Sequence, residues 1–244
     1  MPGSQVVEFQ PGGWRLTIPA SNTGDYRMAQ MDDYLHRSRS QFLWRPPISL
    51  RLTARVSAPI ISGTWGFGLW NDPFTASLGL GGMSYRLPAL PNTAWFFFAA
   101  PPNYLALQDD HPAQGMLAAT FSAPHLPPWL LALGAPWLPL LAVPACARLM
   151  RRAARRLIKE SACQLDLDLT AWHTYRLEWL PGEVDFAVNG KSVFSTSISP
   201  LAPLGLVLWI DNQYAAFTPE GKFKTGSLAN PEPAWLEIQD IELS

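Results

Sequence analysis

Two cysteines, Cys146 and Cys163, are all that the 244 residues contain. They show neither the CxxC spacing of a metal site nor the density of a disulfide-stapled secreted module, so both read as buried or idle thiols. Charge is scarce too: 15% of residues are charged and the formal net charge is -1. No global field draws in a polyanion, and no nucleic-acid partner is expected. The four histidines, His36, His111, His125 and His173, are scattered without a metal spacing such as HExxH. Neither a metal nor another cofactor is expected. The N-terminus, MPGSQVVEFQPGGW, has no basic stretch followed by an apolar run, so the expectation is no signal peptide and a cytoplasmic protein, peripheral at most to a membrane.

What is abundant is apolar and punctuated. The chain is 48% hydrophobic with 24 Pro, 17 Gly and 11 Trp, too apolar for disorder and too interrupted for a helical bundle. Short strands and many turns fit, and at this length one β-sandwich domain over 1–244 is expected. In ISLRLTARV, Ile48, Leu50, Leu52, Ala54 and Val56 face one way and Ser49, Arg51, Thr53 and Arg55 the other, which makes a strand with one wet face. In SGTWGFGLWNDPF at 62–74, Gly66 and Gly68 strip one face of side chains, leaving room for a neighbouring backbone or a ligand, and Asn71-Asp72-Pro73 ends the run. AWFFFAA at 94–100 reads as a strand buried on both faces. Further on, alternating strands turn at Pro181-Gly182 and at Asn189-Gly190, the second a strong hairpin signal.

The stretch WHTYRLEWLPGEVDFAVNGKSVF, an apolar strand from Leu204 to Ile210 and the terminal LEIQDIEL resemble the second half of family 16 glycoside hydrolases and their laminarinase-like relatives. ISLRLTARVSAPIISGTWGFGLW resembles that family's earlier strand pair leading into the substrate cleft. The resemblance covers roughly residues 40–100 and 165–244. It implies an all-β, concanavalin A-like jelly-roll β-sandwich and a carbohydrate ligand. It does not carry the family's chemistry. A retaining glycosidase needs two carboxyl groups about 5–5.5 Å apart. The family supplies them from one strand with an ExDxxE pattern, yet this chain has no Asp or Glu between Asp72 and Asp109. Asp109 and Asp110 are adjacent, hence on opposite faces if extended, and a pair in a polar loop is usually solvated.

Two sets of residues remain as candidate surfaces. Trp65, Trp70, Asn71, Asp72, Trp95, Phe97, Trp209, Asp211 and Tyr214 lie on or at the ends of strands. They could line an aromatic cleft for a small-molecule or carbohydrate ligand, or serve as core and turn residues. The other set lies in a helical insertion expected at 126–161, foreign to the resemblance. HLPPWLLALGAPWLPLLAVPACA is uncharged over nearly the length of a bilayer span, but its prolines argue against a spanning helix. ARLMRRAARRLIKE reads as a helix from about Ala145 to Ser161. Its Arg148, Arg151, Arg152, Arg155, Arg156 and Lys159 lie on one arc, and Leu149, Met150, Ala153, Ala154, Leu157 and Ile158 on the other. With Trp129 and Trp137 this amphipathic segment could meet an anionic membrane or a partner. Alternatively it closes as a lid, apolar face inward and arginines in water. The function expected is a ligand-binding or carbohydrate-active jelly roll without the usual catalytic carboxylates. The alternative is a membrane- or partner-docking protein, or an enzyme, acting on an apolar ligand.

Overall fold

The computed structural model describes residues 3–73 and 86–244, and of the acid-free stretch after Asp72 the positions 74–85 lie outside the described residues. Among the described residues, thirteen strands form two antiparallel sheets. One orders β1 (Gln5–Gln10), β2 (Gly13–Ile18), β15 (Ala234–Leu243), β4 (Ile48–Val56), β9 (His173–Leu180), β10 (Glu183–Val188) and β11 (Lys191–Thr196). The other orders β3 (Met28–Asp32), β12 (Gly205–Asp211), β5 (Thr64–Trp70), β6 (Thr93–Ala99), β7 (Gly115–Ser122) and β8 (Lys159–Leu165). A two-stranded ribbon, β13 (Gln213–Phe217) and β14 (Phe223–Ser227), stands beside them. The whole is a jelly-roll β-sandwich of two antiparallel sheets.

Local chemistry explains the hairpins. Asn189 and Gly190 both take left-handed φ, 52° and 77°, the geometry of a turn whose twist matches that of the strands it joins. Leu180 pairs with Glu183 across the Pro181-Gly182 turn. The period of two fills the interior: Leu50, Leu52, Ala54 and Val56 of β4 face Trp65, Phe67 and Leu69 of β5 and Phe96 and Phe98 of β6. Edge-to-face contacts knit the two sheets, Phe67 to Tyr175 at 5.0 Å and Phe96 to Phe186 at 5.2 Å between ring centroids. Each such pair contributes about 0.5–1.5 kcal/mol beyond the area it buries.

The terminal strand differs from a plain alternation. Glu237 sits on the outer face of the seven-stranded sheet but is buried, ion-paired with Arg15 and, at 2.7 Å, with Arg55. Arg55 in turn lies 4.6 Å from the centroid of the Trp172 ring, so arginine stems cover the carboxylate.

Between β7 and β8 the chain leaves the sandwich as α1 (Pro128–Ala132), a 3-10 stretch at Ala135–Ala142, and α2 (Pro144–Leu157). The helix expected to reach Ser161 stops at Leu157, because Lys159–Leu165 is needed as β8 and pairs along its whole length with β7. Among the described residues no helix is long and apolar enough to cross a membrane.

Candidate ligand cleft

The six-stranded sheet has one face in the core and one turned away from it, and the second face is aromatic. Register sets its pattern: Trp209 of β12 is opposite Gly66 of β5, which is opposite Phe97 of β6, which is opposite Leu117 of β7. The adjacent row is Val207, Gly68, Trp95 and Ala119. With no side chains on the two glycines, the flanking indoles can lie across β5. A Cβ built on Gly66 would stand 2.8 Å from Trp209 Cη2, and one on Gly68 2.5 Å from Trp95 Cβ. The result is a continuous aromatic floor. Trp70 and Trp209 are stacked nearly parallel, 6° between planes at 6.3 Å, with Trp95 5.3 Å from Trp209 and Phe97 stacked on Trp95 at 5.1 Å.

Above this floor is a cavity of about 350 Å³. Its walls come from Met28 of β3, Phe121 of β7, Tyr214 and Phe217 of β13, Leu105 and Leu107 of the loop after β6, and Ala154 and Ile158 of the insertion. Most lining atoms are apolar, and the polar groups at the rim are largely engaged by the protein. Asp211 accepts from the Thr64 hydroxyl at 2.8 Å and from the Gln213 amide at 3.1 Å, and Thr64 accepts the Trp209 indole N–H at 3.1 Å. Asn103 donates to Ala100 O and accepts from the Ala215 amide. Glu160 accepts from the amides of Leu107 at 2.7 Å and Gln108 at 3.0 Å. The indole N–H of Trp95 is buried without a hydrogen-bond partner. Burial raises the Asp211 carboxyl to about 7 against the pull of its donors. Burial raises Glu160 as well, opposed by its two amides, and raises the Tyr26 phenol, with the charge of Asp211 adding to it.

Asp211 and Glu160 are the acids among the described residues that line this cavity. They belong to β12 and β8, separated in the sheet by β5, β6 and β7, which is ~19 Å at the ordinary strand spacing. They also sit at opposite ends of the ladder, Asp211 in the row of Thr64 and Ala99, Glu160 in the row of Phe121 and Thr93. Glycoside hydrolysis places its two carboxyl groups about 5–5.5 Å apart when retaining and about 6.5–9.5 Å apart when inverting, and this pair meets neither.

Of the residues singled out in the sequence, the cavity gathers Trp70, Trp95, Phe97, Trp209, Asp211 and Tyr214. Trp65 is not among them. One residue from Gly66 and hence on the opposite face, it is 1% exposed in the interior and stacked on Phe98. Asn71 and Asp72 do not present free groups either. Asn71 clamps the segment before β6 through Leu90 O and the Asn92 amide, and Asp72, in a left-handed turn, is buried against Arg86 at 2.6 Å. Leu117, Ala119, Phe121 and Glu160 belong to strands the sequence reading did not identify. An apolar run GMLAATF bounded by Gly115 and Pro124 was the available signal for β7.

The insertion packs on neither of its two arcs alone, because the side turned to the domain cuts across both. Arg151 is 3% exposed and donates to Ala106 O, Phe217 O and, at 2.8 Å, Asp109. Arg155 pairs with Asp109 and Gln108, and Arg148 donates to Glu220 O. The buried stripe is Ala147, Arg151 and Ile158, while Leu149, Arg152, Ala153, Arg156 and Leu157 face out. The acidic loop at Asp109 and the carbonyls beside it draw the guanidinium groups inward. Each arc is thus split: Arg151 and Arg155 turn to the domain while Arg152, Arg156 and Lys159 stay in water, and Ala154 and Ile158 turn in while Leu149 and Leu157 face out. Asp109, far from being a free catalytic acid, is held below the usual carboxylate range chiefly by its hydrogen bond from Arg151.

No family model and no curated protein sequence matches the chain. Solved structures are similar at low identity. A glycoside hydrolase family protein from Mycobacterium thermorestibile has 12% identity, 98% of this chain and 79% of that one aligned, and a TM-score of 0.47. A legume lectin-like domain from Entamoeba histolytica has 9% identity, coverage of 99% and 87%, and a TM-score of 0.49. The Bacillus licheniformis β-glucanase has 12% identity, coverage of 96% and 82%, and a TM-score of 0.40. Overlap at this level carries no argument about reaction or ligand.

Proposed function

We propose that the protein binds an apolar or amphiphilic small molecule in the aromatic cleft and does not hydrolyse glycosidic bonds. The observation that carries this reading is the cavity of about 350 Å³ floored by Trp70, Trp95, Phe97 and Trp209. Its size falls within the ordinary range of small-molecule sites, and apolar lining with a few placed polar groups is their usual character. A sugar ring needs its hydroxyls hydrogen-bonded as well as its face stacked. Here Asn103, Glu160 and Thr64 are already spent on the protein's own backbone and side chains. The wide separation of Asp211 and Glu160 supports the absence of glycosidase chemistry.

One observation favours a second reading, glycan binding: the indole faces of the floor, with Trp70 and Trp209 stacked nearly parallel, are surfaces on which a pyranose could stack. Titration with a fluorescent long-chain fatty acid, cis-parinaric acid, and in parallel with laminari-oligosaccharides separates the two. The expected result is saturable one-to-one binding of the fatty acid, lost at least tenfold in Ala119→Phe, which fills the floor beside Trp95. Binding of the oligosaccharides without the fatty acid would establish the glycan reading instead.

A further inference from the structure

Nine of the eighteen exposed large hydrophobic side chains among the described residues lie in the insertion. Trp129, Leu133, Trp137 and Leu149 are 62–63% exposed, and Leu130, Leu138, Leu140, Val143 and Leu157 are open to solvent beside them. Soluble monomers rarely leave so many large apolar side chains of one segment uncovered without a partner for them. The charge of the same segment is one-sided. Positions 126–159 contain no Asp or Glu, and Arg152, Arg156 and Lys159 are exposed and form no ion pair among the described residues. Arg148, Arg151 and Arg155 bond to the domain and hold the segment in place. Apolar bulk with indoles at its edge, a basic rim and no acid is the composition that lies in the interface of an anionic bilayer.

We propose that this face of the insertion docks the protein on an anionic lipid bilayer, with Trp129, Leu133, Trp137 and Leu149 entering the headgroup–acyl boundary and Arg152, Arg156 and Lys159 meeting lipid phosphates. The segment lies in the interface rather than crossing it, since no described helix is long and apolar enough to span. A second copy of the chain fits the surface less well. An isologous contact would set this acid-free segment against itself, bringing like charges of Arg152, Arg156 and Lys159 together with nothing to offset them. The proposal stands independently of what the cleft binds, and its test does not involve a cleft ligand.

The experiment is vesicle flotation with the intact protein on phosphatidylcholine alone and on phosphatidylcholine mixed with phosphatidylserine, at low and high salt. The expected result is strong partition onto the mixed vesicles, weakened as salt shortens the screening length from about 8 Å at physiological ionic strength to about 3 Å at 1 M. Each basic residue contributes roughly a fivefold gain in partition. Arg152→Glu with Arg156→Glu therefore lowers partition on mixed vesicles by at least a hundredfold, an order-of-magnitude figure from the same contribution reversed twice. Trp129→Asp with Trp137→Asp abolishes partition on both vesicle types. All four side chains are exposed, so the melting temperature stays that of the parent. Leu133→Ser with Leu149→Ser provides an independent loss of apolar contact should the tryptophan variant fold poorly. The proposal is overturned if the parent shows no preference for the mixed vesicles or if the apolar variants partition like the parent. It is also overturned if the parent is a dimer that Trp129→Asp with Trp137→Asp converts to a monomer.

Discussion

Thr64 donates its hydroxyl proton to Asp211 at 2.8 Å and thereby ties a buried carboxyl to the aromatic floor, because the same oxygen accepts the Trp209 indole N–H at 3.1 Å. Asp211 is buried, and that burial raises it to about 7 from the ordinary 3.8. Its donors are uncharged: the Thr64 hydroxyl and amide and the Gln213 amide.

This raised carboxyl sets a pH dependence with a definite sign. Between about 4 and about 7 the folded state holds a proton that the unfolded chain releases. The associated stability is thus fully present below the unfolded value and is lost as pH rises through about 7. Asp211→Asn keeps an oxygen to accept from Thr64 and removes the charge. Its melting temperature should equal the parent's at acid pH and exceed it at pH 8, by about 2–4 °C for each 1 kcal/mol recovered. Parallel melting curves at every pH for parent and variant would contradict the assignment.

Two tryptophans on adjacent strands should behave differently because they face opposite ways. Trp65 is enclosed by Phe67 and Phe98, whereas Trp209 closes the cavity floor. Trp65→Ala is expected to cost about 3–5 kcal/mol, the range for deleting an aromatic from a packed core. Trp209→Ala enlarges an existing cavity, and its stability cost should be smaller than that of Trp65→Ala. Its loss of cis-parinaric acid binding should be at least tenfold. Chemical denaturation and fluorescence titration of both variants measure the two effects, and equal losses in both would place Trp209 in the core instead.

The architecture was legible where local chemistry is self-sufficient. The Asn189-Gly190 turn, the alternation of β4 and the uninterrupted apolar run of β6 each carry their own signal, and each folds as read. The cleft was legible in part. Gly66 and Gly68 indicated a bare face, but phase decides which indoles share it, and only the period of two counted from those glycines puts Trp70 on that face and Trp65 on the other. The insertion was misread for a physical reason. A helical wheel reports that Arg and Leu separate, not which side the domain will take, and that choice is made by Asp109 and the carbonyls of Ala106 and Phe217, remote in sequence. A helix period likewise ran on into Lys159–Leu165, whose strand state is imposed by pairing with β7.

Arg151 is the residue on which the placement of α2 turns. Its guanidinium holds Ala106 O at 2.8 Å, Phe217 O at 2.6 Å and Asp109 at 2.8 Å, bringing the insertion, the loop after β6 and β13 to one point. Removing one partner of a fully buried pair costs about 3–5 kcal/mol. Asp109 is 46% exposed and keeps Arg155, so Arg151→Ala should cost less, about 2–3 kcal/mol. The loss should be local first: α2 detaches before the sandwich melts, and trypsin cleaves at Arg152 and Arg156 faster than in the parent. Arg151→Lys should recover little, since one ammonium cannot reach three acceptors set in a fork. Asp109 adds an acid limb to the same latch. Arg151 lowers its carboxyl below 3.8, so the stabilisation is present above the unfolded value and is lost as pH falls through the folded one. Trypsin does not operate there, so pepsin cleavage of the insertion is the readout, and it should rise as pH falls through that range in the parent and already be high in Arg151→Ala. If Arg151→Ala is cut at the parent's rate by both proteases, the guanidinium does not hold the insertion down.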